Sequence, residues 1–356
     1  MSSVLIGLLL GASLGSFLNV CIYRIPRNIS LVNPSRSFCP NCLRQIPWYE
    51  NVPVFGWFLL RGRCSQCGQP ISFRYPVVEL LTAVLYAVCA AIVPFPTFLS
   101  LWIFFSLLII ATFVDLEFLV IPDVVSKSGI VAGIVLSLIT PGLHHTVSRL
   151  GAVTQSVVSC LSGAALLLLI GVLGRLAFGR HRIQMIGSAP FRFEILSEND
   201  AQIVINEESF QWQEYLSRKR DKIVVRVEDA TLNGKLYKDC VFTFFYDRLT
   251  TPRLTLPLEE VTNLTGHAES IILPREAMGL GDVKLIAAIG AFTGWQGVLF
   301  TIAAASVFGS VYGLGVAAAR RREWSSKVPF GPFLALGSIV WVLGGRDAVF
   351  QFFGVY

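Results

Sequence analysis

About eight long apolar runs divide this chain of 356 residues, and they constrain its fold more than any other feature. A helix needs roughly 20 consecutive, mainly apolar residues to cross the hydrocarbon core of a bilayer. The runs lie at about 3–23, 77–94, 98–114, 124–141, 153–178, 280–294, 296–319 and 330–353. Charged residues make up only 15% of the chain, which is too few for an ordinary soluble domain. The sequence therefore predicts an all-α polytopic membrane protein with about eight transmembrane helices.

Basic residues predict the orientation of these spans, because cytoplasmic loops carry an excess of Lys and Arg. The stretch from Arg24 to Arg74 is rich in Arg and holds one acid, Glu50. Further basic clusters stand at 180–182 and 320–322, and uncharged connections stand at 94–96 and 292–295. We therefore expect the charged loops in the cytoplasm and both termini outside. The net charge of +6 then reflects topology and anionic membrane lipid, and we expect no nucleic acid partner.

The first run is expected to be a retained helix. It lacks the basic flank and the small-residue cleavage site of a removable signal peptide.

Two cysteine pairs stand in the polar loop that follows the first run. They are Cys39 with Cys42 and Cys64 with Cys67, separated by positions 43–63. Each C-x2-C segment offers two thiolates, and four thiolates make a tetrahedral site that suits Zn2+. Two disulfides or a redox pair are the alternative, although the reducing cytosol disfavours stable disulfides. We expect a small cytoplasmic zinc-ribbon-like domain over 24–75, held by a structural Zn2+.

A second polar region covers residues 180–277 and is expected to form a β-rich soluble insert. Segments 191–196, 222–227 and 241–246 show the alternation or the β-branched and aromatic enrichment of strands. Asn233-Gly234 predicts a tight turn between two of them. A loose likeness of 229–234 to a cyclic-dinucleotide motif is less favoured, because the upstream basic residues at 218–220 have the wrong spacing.

Two acids at the ends of apolar runs are the candidate catalytic residues. Asp115 ends the third run, and Asp282 follows Gly279 and Gly281 at the start of the sixth. Ionisable groups at membrane depth are costly and therefore indicate functional sites. Two carboxylates in one site do not both ionise easily, so one can stay protonated while the other deprotonates a water for attack on a peptide carbonyl. The pair predicts an aspartic membrane protease whose acids titrate as a unit.

Neighbouring charged residues keep simpler explanations open. Asp123 directly precedes the fourth run, where an N-cap or first-turn acid is the ordinary interpretation and direct catalysis is the alternative. An N-cap is also the alternative for Asp282, but Gly279 and Gly281 permit close backbone approach there. Lys284 could adjust the electrostatics of Asp282, and Glu117 is expected to face water. G-x-G-D alone is a weak signal, and a second membrane-interface Asp strengthens it.

The separated motifs together resemble those of type IV prepilin peptidases, the bifunctional leader peptidases and N-methyltransferases of pilus and type II secretion systems. The matching segments are 15–20 with 24–26, both cysteine pairs with 48–53, and then 70–79, 115–123, 278–284 and 329–335. The resemblance implies that Asp115 and Asp282 are catalytic. Gly279, Gly281, Lys284 and Asp123 are predicted to support them. The resemblance also associates the cysteine loop, including Glu50, with methyl transfer. The insert of about 90 residues departs from the short connection that such a chain would have.

The resemblance further implies a location, substrates and partners. It implies a multi-pass protein of the bacterial cytoplasmic (inner) membrane with its active site at the cytoplasmic face. Its substrates would be prepilins or pseudopilins, whose new N-terminal residue is methylated with S-adenosylmethionine, and its partners would be the pilus or type II secretion assembly machinery. No glycine-rich Rossmann fingerprint for the methyl donor is present. The expected domains are 1–23, 24–75, 76–179, 180–277 and 278–356.

Other classes of protein could use the same residues. A membrane transporter would use intramembrane acids as proton or cation sites, but would place them near the bilayer midplane. A non-enzymatic assembly scaffold would use the cysteine loop and the insert for docking, which leaves the two aspartates without a role. Presenilin-type G-x-G-D proteases also use two aspartates, but they lack the cysteine loop.

Overall fold

The computed structural model describes most of the chain as two compact units. One comprises Met1–Leu168 with Gly279–Tyr356, and the other is Leu169–Met278. The described residues are 2–34, 36–178, 180–197, 200–206, 208–216, 221–252, 254–274, 278–319 and 328–354. The basic residues at 218–220 and 320–322 lie outside these ranges.

Helices dominate the first unit. In chain order the helices of the protein are α1 (Ser2–Arg24), α2 (Phe55–Leu59), α3 (Arg74–Ile92), α4 (Thr97–Phe118), α5 (Asp123–Ile139), α6 (Arg149–Phe178), α7 (Trp212–Tyr215), α8 (Leu280–Ala318), α9 (Gly331–Val340) and α10 (Arg346–Phe353). A short π-helical segment, Trp341–Gly345, joins the last two.

Six helical segments in the described part of the chain are long and apolar enough to cross a membrane. They are Ser2–Arg24, Arg74–Ile92, Thr97–Phe118, Arg149–Ala177, Leu280–Val316 and Gly331–Phe352. The predicted runs at 280–294 and 296–319 both fall in α8, which Gly294 interrupts with a non-helical φ of 78° and ψ of 172°. Helix α5 has only 17 residues. The polytopic membrane class is therefore supported, whereas the count of eight spans stays a prediction.

Small residues let α1 and α3 approach closely. A Cβ added at Gly11 would lie 2.7 Å from the Ala83 Cα, and one at Gly15 would lie 2.7 Å from the Glu79 Cα. Small residues at four-residue spacing are a common means of close helix contact in membranes. Because α1 and α3 flank the cysteine loop in the chain, their contact brings the two ends of that loop together.

Aromatic contacts link α3 through α4 to α8. Tyr86 stacks on Trp102 with ring centroids 4.6 Å apart, and the Trp102 indole donates to the Tyr86 carbonyl at 3.0 Å. On another side of α4, Phe104 stacks on Phe292 of α8 at 4.7 Å. Helix α4 therefore contacts both the α1–α3 pair and α8, and its end can contribute side chains to either side.

The second unit contains one eight-stranded antiparallel sheet in the order β3-β2-β1-β8-β4-β5-β6-β7. The strands are β1 (Arg180–Ser197), β2 (Asp200–Ile205), β3 (Glu208–Gln211), β4 (Ile223–Leu232), β5 (Lys235–Phe244), β6 (Arg248–Thr251), β7 (Leu254–Pro257) and β8 (Leu264–Pro274). Its core includes Phe191, Phe242 and Phe244, all buried. Asn233 and Gly234 have φ values of 48° and 80° between β4 and β5, as a tight hairpin turn requires. The predicted β-rich insert and its Asn-Gly turn are confirmed.

Candidate active site

Asp115 lies in the last turn of α4, and its side chain is buried. Leu119 ends the helix with a left-handed φ of 56°, and its N–H donates to the Asp115 carbonyl at 2.9 Å. The Asp115 carboxylate accepts a hydrogen bond of 3.0 Å from the backbone N–H of Gly331, at the start of α9. This contact joins residues 216 positions apart in the chain. A backbone donor thus holds the first candidate aspartate in place.

Asp282 lies in the first turn of α8, directly after the two glycines of the G-x-G-D run. Its carboxylate lies directly beside Gly279, and the negative charge of Asp115 acts on it. A Cβ at Gly279 would lie 3.3 Å from the Asp282 Oδ2, closer than an ordinary contact. The two predicted aspartates therefore share one electrostatic environment, although they come from distant parts of the chain.

Ile121 packs between the segments that carry this pair. A Cβ at Gly281 would lie 3.2 Å from the Ile121 Cβ. A Cβ at Gly331 would lie 3.1 Å from the Ile121 Cδ1 and only 2.7 Å from the Asp115 Oδ2. Glycine at position 331 is therefore needed if Asp115 is to keep its position. The sequence reasoning gave no role to Gly331, and the only signal for it was its place in the motif at 329–335.

Asp123 and Lys284 form an ion pair that links the beginnings of α5 and α8. Asp123 also contacts Lys127 at 2.9 Å, one turn along α5. Its side chain is 48% exposed, and it lies in the first turn of its helix. Asp123 therefore has the first-turn position expected for it, and its part in catalysis stays open to test. A supporting role of Lys284 at the aspartate pair stays a prediction.

The four predicted cysteines form one cluster. Their Sγ atoms all lie within 4.8 Å of one another, with Cys39 and Cys67 at 3.8 Å and Cys42 and Cys64 at 4.0 Å. Four sulfurs about 2.3 Å from a central tetrahedral Zn2+ would be roughly 3.8 Å apart. All four cysteines are free, and these distances far exceed the roughly 2.05 Å of a disulfide. The donor set therefore fits Zn2+ and not a pair of disulfides.

The two cysteine pairs have the same backbone geometry. The N–H of Leu43 donates to the Cys39 carbonyl at 2.9 Å, and that of Gly68 donates to the Cys64 carbonyl at 3.0 Å. Each pair is flanked by an isolated β-bridge, Phe38 with Gln45 and Arg63 with Pro70. Among the described residues of this loop, all but position 35, no longer strand forms, so a zinc-ribbon sheet stays a prediction.

A cavity of about 570 Å³ lies between the cysteine pairs and the ends of α1, α3 and α4. Asn19, Glu50, Arg74, Glu79 and Glu117 are among its lining residues. Two buried atoms in its wall, the Asn19 Oδ1 and the Arg74 Nε, have no hydrogen-bond partner within the described chain. Buried polar atoms normally have partners, so these two indicate a place for a polar ligand.

Glu50 and Glu79 line this cavity, and hydrogen bonds hold both carboxylates. Glu50 accepts from the Ser65 hydroxyl at 2.9 Å and from Arg44 at 3.3 Å. Glu79 is buried and accepts from the backbone N–H of Val54 at 2.6 Å. The sequence predicts Glu50 as a residue of this site but not Glu79. The one indication of Glu79 in the sequence is that an acid stands inside an apolar run.

Glu117 connects the cavity to the helix that carries Asp115. It accepts a hydrogen bond from Arg27 at 3.1 Å and one from Arg74, the first residue of α3. Its side chain is 37% exposed, which agrees only in part with the expectation that it faces water. At about 100° per residue, Asp115 and Glu117 lie on nearly opposite faces of α4. The end of α4 therefore separates the aspartate pair from the cavity.

Comparison with known proteins gives two matches to family profiles. Residues 9–93 match the Bacterial Peptidase A24 N-terminal domain, and residues 241–314 match the Type IV leader peptidase family. The first match contains the cysteine cluster and the second contains Asp282, whereas Asp115 lies between the two. No solved structure matches this chain.

Several curated proteins named Prepilin leader peptidase/N-methyltransferase are similar to the chain. One from Aeromonas hydrophila is 26% identical over 93% of this chain and 87% of its own length. One from Myxococcus xanthus is 43% identical, but over 36% of this chain and 38% of the relative. One from Klebsiella pneumoniae is 35% identical over 43% of this chain and 66% of the relative. These matches, together with the paired aspartates and the cysteine cluster, show that the chain belongs to the type IV leader peptidase family.

Proposed function

We propose that this protein is an aspartic endopeptidase that removes the leader from prepilins or pseudopilins. The observation that carries the proposal is the convergence of Asp115 and Asp282. Ile121 lies against Gly281, the neighbour of Asp282, and against Gly331, whose N–H binds the Asp115 carboxylate. One carboxylate deprotonates a water, and the other, protonated, donates to the carbonyl oxygen of the scissile peptide. The family names of the relatives supply the substrate class.

The positions of the two acids explain how they can share this work. Gly331 holds the Asp115 carboxylate through its backbone N–H, and Gly279 lies directly beside the Asp282 carboxylate. A main-chain donor thus orients Asp115, and the glycine next to Asp282 leaves room for its carboxylate. The transporter alternative is less favoured, since both acids lie at helix ends and not at midspan.

The test is the exchange of each aspartate for the isosteric amide. We expect Asp115→Asn and Asp282→Asn each to lower cleavage of a prepilin leader peptide by about 10²–10⁴-fold, because acid–base catalysis contributes that much. The enzyme should be assayed in lipid nanodiscs, with unchanged zinc content as evidence of folding. Asp123→Asn is the matched control. Full cleavage by both variants would exclude the proposal.

We further propose that the same chain methylates the new N-terminal residue, with the 570 Å³ cavity as the site. Small-molecule sites commonly measure about 300–1,000 Å³. S-adenosylmethionine supplies an activated methyl group when bound. The unpaired Arg74 Nε suits the carboxylate of such a ligand, and the carboxylates of Glu50 and Glu79 suit its positive charges and the substrate ammonium. A carboxylate can also accept the proton that the amine must lose before it attacks a methyl group.

Zinc is proposed as a structural component of this second site. Ser65 lies next to Cys64 and donates to Glu50, so the geometry of the cysteine pair fixes that carboxylate. Cys39, Cys42, Cys64 and Cys67 would hold the ion. Metal in a small loop with little core of its own contributes directly to folding. The two activities can be separated by following cleavage and methyl transfer in one assay with Glu50→Gln.

The location and the insert complete the proposal. The enzyme would lie in the bacterial inner membrane with its site at the cytoplasmic face, where the basic loop from Arg24 to Arg74 is expected. The β-rich insert would gate substrate entry or bind the pilus or type II secretion assembly machinery. Replacing residues 184–272 by a short linker tests this role, and unchanged processing of all cellular substrates would exclude gating.

A further inference from the structure

The short helix α2 is held firmly on its inner side. The Trp57 indole N–H donates to the Ile71 carbonyl at 3.0 Å. A Cβ added at Gly56 would lie 2.4 Å from the Glu50 carbonyl oxygen, so the helix lies directly against that segment. Val54, just before the helix, has a φ of 64°, which is costly for a β-branched residue and persists only where the surroundings impose it. The direction of α2 is therefore fixed.

The outer side of α2 is apolar and exposed. Phe55, Phe58 and Leu59 are 68%, 58% and 75% exposed. Because they stand at positions i, i+3 and i+4, they share one face of the helix. Phe73 is 59% exposed and contacts the Trp57 ring at 5.3 Å, which continues this surface to the start of α3. We call these four residues the apolar face of α2.

A hydrogen bond fixes the level of this face along α3. The Val54 N–H, at the start of α2, donates to Glu79 at 2.6 Å. Glu79 follows the first residue of α3 by five positions, or about 7.5 Å along the helix axis. Helix α3 is one of the apolar spans, and its next residue, Leu80, is 54% exposed. The start of α2 therefore lies beside the first turns of a helix that is apolar enough to cross a membrane.

The chain after α2 is basic. Arg61 and Arg63 follow the helix directly, and both are exposed. An aromatic and leucine face beside exposed arginines is the pattern of helices that lie in a membrane interface next to anionic headgroups. A bilayer is the favoured occupant because α2 is hydrogen-bonded to α3, a helix long and apolar enough to cross a membrane.

We propose that the apolar face of α2 inserts into the boundary between headgroups and acyl chains. It thereby seats the cysteine-bearing loop on the membrane surface beside α3. Since the Glu50 carbonyl packs on Gly56, the interface also sets the height of the cavity wall above the bilayer. This contact is independent of either proposed activity.

Photo-crosslinking of the full-length protein in nanodiscs of phosphatidylethanolamine and phosphatidylglycerol tests the proposal. The photoreactive residue p-benzoylphenylalanine replaces Phe58 in one variant and Leu59 in a second. It replaces Leu80 of α3 as the positive control and Leu43, between the cysteines and 72% exposed, as the matched negative control. Zinc content checks that each variant is folded.

Mass spectrometry of the adducts decides the outcome. We expect lipid adducts at positions 58 and 59 with yields similar to position 80 and at least about fivefold above position 43. Yields at 58 and 59 no higher than at 43 would overturn the proposal. Adducts formed at 58 and 59 only with a second copy of the chain, or with added prepilin peptide, would overturn it as well and would identify a protein as the occupant.

Discussion

Replacing Gly331 by alanine should selectively damage the peptidase site. The new Cβ would lie 2.7 Å from the Asp115 Oδ2, whereas ordinary contacts begin at 3.4 Å. The carboxylate would have to move by at least about 0.7 Å, and the Ile121 Cδ1, 3.1 Å from the same Cβ, restricts movement of α9 in the other direction. The 3.0 Å hydrogen bond from the Gly331 N–H would be distorted at the same time.

The size of the effect follows from this displacement. Misplacing a catalytic group by about 1 Å can cost about 10²-fold in rate, which corresponds to about 2.7 kcal/mol of transition-state stabilisation. We therefore expect Gly331→Ala to lower kcat for leader-peptide cleavage by about 100-fold and to change KM much less, because the displaced carboxylate acts in the chemical step.

Initial rates of cleavage by the purified enzyme in nanodiscs measure this effect. Methyl transfer to a pre-cleaved peptide, measured on the same sample, serves as an internal control for folding, and it should stay at the level of the unmodified enzyme. Gly313→Ala is the matched control, since a Cβ there meets nothing within 4 Å. A kcat for Gly331→Ala within a few-fold of the unmodified enzyme would refute the reasoning, as would an equal loss in Gly313→Ala.

Three further predictions concern the cysteine cluster and the charged residues. Cys39→Ser should abolish stoichiometric zinc binding, measured by release of zinc to a metallochromic dye. The control Cys160→Ala, at a cysteine buried in α6, should keep its zinc. Retained zinc in Cys39→Ser would contradict the ligand assignment. Glu50→Gln should lower methyl transfer at least about tenfold and leave leader cleavage intact. Glu269→Gln, at an exposed acid, is the control. A loss of cleavage without a loss of methyl transfer would contradict the assignment of Glu50 to the methyl-transfer site. Asp123→Asn should lower cleavage less than about fivefold, because exposed ion pairs contribute only about 0.2–1 kcal/mol; a loss as large as that of Asp115→Asn would make Asp123 catalytic.

Features that depend on short stretches of chain could be predicted from the sequence. The spacing within each C-x2-C pair was sufficient to predict a four-sulfur cluster, because each pair forms its own tight turn. The Asn233-Gly234 turn was predictable for the same reason, since the positive φ values it requires favour those residue types. Both predictions need no knowledge of how distant segments pack.

Features that depend on packing between distant segments were missed. The role of Gly331 arises from a contact across 216 positions, and nothing local distinguishes it from other glycines. Glu79 was hidden in an apolar run, and its significance appears only once Val54 and the cavity are placed beside it. The sequence predicted two spans that meet near 295, whereas in the structure a single glycine, Gly294, interrupts α8 without a polar loop. Apolar periodicity measures the length of a run but does not determine where a helix bends.

The end of α4 has a consequence for how this enzyme can change over time. Asp115 is one member of the aspartate pair. Two residues later, Glu117 holds Arg27 and Arg74 at the wall of the cavity. A one-residue insertion or deletion before this turn would rotate both side chains by about 100° together. A shift of this helix that changes the aspartate pair therefore also changes the cavity, and the reverse holds as well. Variation that separates the two activities has to arise in the cysteine loop or at the beginnings of α8 and α9, where each site has residues of its own.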